Sequence, residues 1–266
     1  MRRLLVGLSM LVMGCSADTF VGADGGPGSD GGGGGDGSAS DAPFDVASCA
    51  PTWCTTQSTL APGSFCEDFD DSDALPVDWG QEITNGTVTM STSPAVQCLS
   101  MHAHLAQVGG TSGAARLIHT SNVTQTTSAH AVLTLEVSLP KTDAGGTVFY
   151  FVIRGGGVSI GLVQRADGTW WLQSSLGTNT LAAPLASQGP TRGAFTHMVL
   201  DVTYLVNQVN ATLTYRRADG NSDSINANGA AITLQSSVSF IAGMAASTST
   251  TTAVDAYYDD VITTLQ

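Results

Sequence analysis

The stretch LSMHAHL, residues 99–105, alternates apolar and polar side chains without a break. Leu99, Met101, Ala103 and Leu105 fall on one face of an extended chain, and Ser100, His102 and His104 on the other. A period of two specifies a half-buried strand and not a helix. The same reading applies to HAVLTLEVSL (130–139), GTVFYFVIR (146–154), GVSIGLVQR (157–165), TWWLQSS (169–175), AFTHMVLDVTYLV (194–206) and QVNATLTYRR (208–217). KTDAGG, RGGG, ADG, SQGPTRG and ADGNSD lie between them and are turn chemistry. Helical periodicity is nearly absent. About a dozen short strands with few helices predict an all-β, antiparallel two-sheet β-sandwich.

Upstream of the strands the chain reads differently. Leu4 to Gly14 are uncharged and mostly apolar, and as a helix would reach roughly 16 Å, about half a bilayer's hydrocarbon thickness. Arg2 and Arg3 precede this run, so residues 1–14 read as an export leader rather than a membrane span. Leu11-Val12-Met13-Gly14-Cys15 resembles the lipobox of bacterial lipoproteins, although Met13 is bulkier than that motif prefers. The resemblance implies cleavage before Cys15 and acylation of its thiol and new amino terminus, a permanent membrane anchor. Ser16 then points to the outer membrane or cell surface of the envelope. An ordinary secretory signal with a chance cysteine is the alternative.

Residues 15–48 form a Gly/Asp/Ser-rich spacer containing ten glycines and six aspartates and no Lys or Arg. Such a composition cannot bury enough apolar area to offset chain entropy, so a disordered tether is expected. Residues 49–266 remain for the sandwich domain, enough for one substantial core. The chain's formal charge is −13, and with Arg2 and Arg3 in the leader only seven of its nine Lys and Arg fall in this domain. That balance argues against nucleic acid as a partner.

With Cys15 assigned to the anchor, Cys49, Cys54, Cys66 and Cys98 form an even set in an oxidising compartment. Cys49–Cys54 and Cys66–Cys98 are the favoured pairs: the first closes a tight loop and the second pins the first strand. A zinc site is the rival reading, but the spacings match no zinc pattern well.

The order of four segments carries a second resemblance. FCEDFDDSDALPVDWGQE (65–82) opens the domain and CLSMHAHLAQVGGTSGAARL (98–117) follows. RGAFTHMVLDVTYLVNQVNATLTY (192–215) comes late, and DAYYDDVITTLQ (255–266) closes it. This arrangement is similar to the concanavalin A-like, laminin G-like jelly rolls, over residues 64–266. The resemblance implies two curved sheets with the first and last strands side by side. In some relatives a structural calcium ties those strands together; Glu67 or Asp68 with Asp259 or Asp260 would supply its oxygens here, the alternative being a solvated acidic edge.

Polysaccharide-cleaving members of that fold carry a Glu-x-Asp-x-x-Glu strand, whose carboxylates can stand about 5.5 Å apart. No such strand occurs: Glu136 is isolated in LTLEVSL and Asp201 in VLDVTY. Neither Gly-x-Ser-x-Gly nor His-Glu-x-x-His occurs either. The expectation is therefore a non-enzyme without cofactors. His102 and His104 point the same way, as a metal-binding pair can, or simply line a polar outer face. His197 is expected to hydrogen-bond within the sheet.

The binding candidates lie in GLVQRADGTWWLQ (161–173). With Asp167-Gly168 as a two-residue turn, Gln164 stands opposite Trp171, and Leu162, Gln164, Trp171 and Gln173 share one face. An indole flanked by two amides, Gln164 and Gln173, suits a sugar ring and its hydroxyls; burial of both indoles is the competing reading. The leading function is a surface-tethered jelly roll that binds carbohydrate or another surface ligand. An interaction lipoprotein for envelope proteins stands second, and a divergent polysaccharide hydrolase or lyase third.

Overall fold

The computed structural model describes residues 53–57, 60, 63–70, 74–96, 98–107, 112–124, 128–175, 181–234, 236–247 and 250–266. The expected leader (1–14), the tether (15–48) with Cys15, and Cys49 lie outside the described residues. In chain order the elements begin with α1 (Trp53–Thr56), β1 (Ser64–Glu67), β2 (Gly80–Thr84), β3 (Gly86–Ser91) and β4 (Ser100–Leu105). Then come β5 (Gly113–Asn122), β6 (Ala129–Ser138), β7 (Val148–Gly155), β8 (Val158–Gln164), β9 (Trp170–Ser174) and β10 (Ala182–Pro184). The chain ends with β11 (Phe195–Tyr204), β12 (Gln208–Arg216), β13 (Ser222–Ala230), β14 (Ser237–Ala246) and β15 (Val254–Leu265).

Among the described residues these strands build two antiparallel sheets, and the protein is an all-β sandwich. The first sheet runs β13-β12-β11-β6-β15-β4-β3, the second β10-β9-β8-β7-β14-β5-β2. β1 joins the first sheet along the later part of β15, with Ser64 opposite Thr264 and Glu67 opposite Val261. The earlier part of β15, from Val254 to Tyr258, pairs with β4. The first and last strands are therefore neighbours.

Alternation in the sequence becomes alternation in burial. In β4, Met101, Ala103 and Leu105 are fully buried, while His102 and His104 are partly exposed. β6 contributes Leu133, Leu135 and Val137 to the same core as Met198, Leu200 and Val202 of β11. The second sheet supplies Leu117, Ile160, Leu162, Leu172, Phe240 and Met244. Each such side chain, fully buried, contributes about 1.5–3 kcal/mol from leaving water. One polar bond joins the sheets inside this core: the Tyr258 hydroxyl on β15 donates to the Tyr150 carbonyl on β7 at 2.7 Å.

The cysteine pairing differs from expectation. Cys54 bonds to Cys66, with Cα atoms 5.7 Å apart, which excludes both Cys49–Cys54 and Cys66–Cys98. The reason is local: the Cys54 N–H at α1 donates to Asp68 Oδ2, which holds the helix against the end of β1. Cys98 is disulfide-bonded as well.

Candidate functional site

The outward face of the second sheet holds the candidate site, and the β8–β9 hairpin determines what it presents. The turn is one residue longer than the sequence suggests. The Arg165 N–H donates to the Thr169 carbonyl at 2.8 Å and the Gly168 N–H to the Arg165 carbonyl at 2.9 Å. Gly168 sits at φ +80°, which a side chain would resist, so the loop spans Ala166, Asp167 and Gly168. Gln164 consequently pairs with Trp170, and Val163 with Trp171. A shift of one residue exchanges faces along one strand.

Gln164 is the candidate this shift removes. Its side chain is fully buried, accepting from the Ala144 N–H at 3.1 Å and the Tyr150 hydroxyl at 3.3 Å, and donating to Asp143 Oδ1 at 2.7 Å. It fixes the β6–β7 connection and is unavailable to a ligand. Trp170 packs in the core, 5.2 Å from the Tyr150 ring.

Trp171 and Gln173 stay together and acquire Arg165 as their companion. The Arg165 guanidinium carbon lies 3.5 Å from the Trp171 ring centroid. Its Nε and Nη2 donate to Gln173 Oε1 at 3.0 and 2.7 Å. Trp171 Nε1–H donates to Thr169 Oγ1 at 2.8 Å, which orients the half-buried indole. Stacking, amide and hydroxyl are thus fixed in one small platform.

Beside it opens a shallow cleft of about 460 Å³, lined by Arg116, Phe149, Val152, Arg154, Ser159 and Ser175 among others. Strand register explains its composition. Arg116 of β5 stands opposite Gly243 of β14, and Arg154 of β7 opposite both Ser239 and Ser159. Phe149, Val152 and Val163 pack with Ile241 as a small apolar floor separate from the main core. Arg116 is 8% exposed, and its Nη2 donates to both carboxylate oxygens of Glu82 at 2.8 Å. Arg154 donates from Nε to Ser159 Oγ at 3.1 Å. Burial, and then the charge of Arg116, lower the Arg154 pKa, with Glu82 opposing. Sequence reading missed both arginines; their signal was scarce basic residues placed inside apolar strands.

The acidic edge forms a second cluster. A break in register between Asp259 and Ile262, with Asp260 at φ +48°, turns the Asp259 and Asp260 carboxylates toward the chain around Asp68 and Asp70. Burial, then neighbouring carboxylates, push the Asp260 pKa up to about 7. Burial, reinforced by Asp260 and Asp70, raises Asp259 to about 8. Much of this carboxylate set is spent on backbone amides. Asp68 Oδ2 accepts from Cys54, Asp70 Oδ1 from Cys98 and Leu99, and Asp259 Oδ2 from Val96. Among the described residues no group of three or more His, Cys, Asp or Glu side chains is arranged to hold a metal ion.

The histidines engage carboxylates on the outer face of the first sheet. His102 Nε2 and His104 Nδ1 both lie 2.8 Å from Asp255 Oδ1, which fits the polar-face reading better than a metal pair. His197 Nδ1 lies 3.0 Å from Glu136 Oε1; that bond raises its pKa against the opposing effect of burial.

No protein-family model matches the chain, and no curated protein sequence does. Solved structures do. The endo-β-1,4-glucuronan lyase of the fungus Trichoderma reesei superposes with a TM-score of 0.50 at 12% identity, over 75% of this chain and 94% of that one. Lectin I-B4 of Griffonia simplicifolia gives 0.48 at 12% identity, over 76% and 99%. An alginate lyase of Klebsiella pneumoniae gives 0.42 at 12% identity, over 69% and 85%. The likeness to the glucuronan lyase establishes the jelly-roll fold expected from the sequence and nothing finer.

Proposed function

We propose that this chain is a non-enzymatic envelope lipoprotein whose jelly roll binds carbohydrate on the outward face of its second sheet. The observation that carries this reading is the fixed group Trp171, Arg165 and Gln173 beside the arginine-lined cleft. Half of a sugar's surface is apolar C–H and half is hydroxyl. An oriented indole meets the first, and amide and guanidinium donors meet the second. The glucuronan lyase whose fold this chain shares acts on a polysaccharide, which agrees with a carbohydrate ligand.

The envelope placement rests on the lipobox-like stretch ending at Cys15. Three acyl chains there would hold the domain permanently at the membrane, with residues 16–48 as tether. The test is a glycan screen of the full chain beside its Trp171→Ala variant, with mass spectrometry of the mature amino terminus. Glycan binding that the variant loses, together with acylated Cys15, is the expected result. An unmodified thiol overturns the anchor, and silence toward all glycans overturns the ligand.

A protein partner is the second reading. The outer face of β12 and β13 carries a row of Thr212, Thr214, Ser224 and Asn226 joined by side-chain hydrogen bonds. Such a small, polar surface suits another protein better than a sugar.

A further inference from the structure

We infer that the cleft between Arg116 and Arg154 is a carboxylate subsite, so that the glycan taken by this face is an acidic one carrying uronate groups. This deepens the carbohydrate reading and rests on it.

Three observations converge on the cleft. The first is charge. In a chain of −13, Arg116, Arg154 and Arg165 place three of the scarce basic side chains on one sheet face. Among the described residues the carboxylate ion-paired to them is Glu82, on Arg116. Arg154 forms no direct ion pair among the described residues, and Glu82 acts on it only at longer range.

The second is an unused donor. Arg116 is more than nine-tenths buried, yet its Nε has no hydrogen-bond acceptor among the described residues. Leaving a charged donor desolvated and unpaired is costly, and an anion arriving in the cleft it lines would remove that cost.

The third is preorganisation. Ser159 holds Arg154 through Nε, which fixes the guanidinium plane and leaves its two terminal nitrogens for a ligand. Gly243, opposite Arg116 on the strand that separates the two arginines, keeps the surface between them low. A Cβ at Gly243 would collide with the Ala115 carbonyl oxygen and with Arg116 itself, so this position excludes larger residues. The apolar floor of Phe149, Val152 and Ile241 then meets the ring's C–H face while the carboxylate meets the arginines.

The experiment measures binding of the full chain to polyglucuronate, polygalacturonate and polymannuronate, each beside its carboxyl-reduced counterpart, with dextran sulfate as a further probe. Hydrogen bonds to a charged group predict at least a tenfold preference for one uronate polymer over its reduced form, weakening as salt rises. Arg154→Gln should abolish that preference, and Ser159→Ala should diminish it, with unfolding midpoints unchanged as the control for folding. Equal affinity for acid and reduced polymers, or an unaltered preference in Arg154→Gln, overturns the subsite while leaving the carbohydrate reading intact. Tighter binding of dextran sulfate than of every uronate overturns the carboxylate assignment. Binding to none of the polymers overturns the subsite, and the glycan screen then decides the carbohydrate reading separately.

Discussion

Tyr258 and Tyr204 are both buried tyrosines of the first sheet, but only one has work for its hydroxyl. The Tyr258 hydroxyl reaches across the sandwich to the Tyr150 carbonyl at 2.7 Å, while the Tyr204 hydroxyl has no hydrogen-bond partner among the described residues. Removing a satisfied buried donor costs about 1–3 kcal/mol, whereas removing an unsatisfied one costs nothing or stabilises. Tyr258→Phe should therefore lower the denaturant midpoint and Tyr204→Phe should leave it equal or higher. The opposite ranking would refute this account of the core.

Asp259 and Asp260 make stability depend on pH in an unusual direction. Their pKa values, about 8 and about 7, lie above those of the unfolded chain, so the native state holds protons that the unfolded state releases. The stability they contribute is present below about pH 4 and is lost as pH rises through about 7 and 8. The His197 pKa is raised too, by its bond to Glu136, and its contribution is likewise lost as pH rises. Asp260→Asn keeps a residue that tolerates positive φ and cannot ionise. Urea unfolding at pH 5 and pH 8 should show the variant gaining on the parent at pH 8; a gain at pH 5 alone would contradict it.

Gln164 and Trp171 should separate stability from binding. Gln164→Ala leaves the buried Ala144 N–H without its acceptor, costing about 1–3 kcal/mol, and should not alter glycan affinity per folded molecule. Trp171→Ala should weaken glycan binding while shifting the unfolding midpoint far less. Affinity measurements paired with thermal melts decide this.

The Cys54–Cys66 bridge closes a short loop, with a sequence separation of 12. Replacing both by Ser should cost about 2–4 kcal/mol through the looser unfolded chain. Denaturant melts of the double variant beside the parent measure it.

Strand identity and inward faces were legible because burial demands alternation, as Met101, Ala103 and Leu105 show. Register at the β8–β9 turn was not, because Ala-Asp-Gly supports either a two- or a three-residue loop, and one step moved Gln164 from surface to core. Cysteine pairing escaped because it depends on a hydrogen bond from Cys54 to Asp68, which spacing alone does not reveal. The arginine cleft escaped for a different reason. Arg116 and Arg154 come from strands that are separated in the chain and brought to the same face by β14 between them.

The sulfur link between α1 and β1 also redirects mechanical force. Tension entering from the chain ahead of residue 54 passes through the Cys54 and Cys66 side chains and bypasses the intervening backbone. Ser64 and Phe65, which would otherwise peel away first from Thr264 and Thr263, stay slack. The pull reaches the sandwich at Cys66, opposite Ile262, where the sheet resists it with both flanks of β15 already engaged.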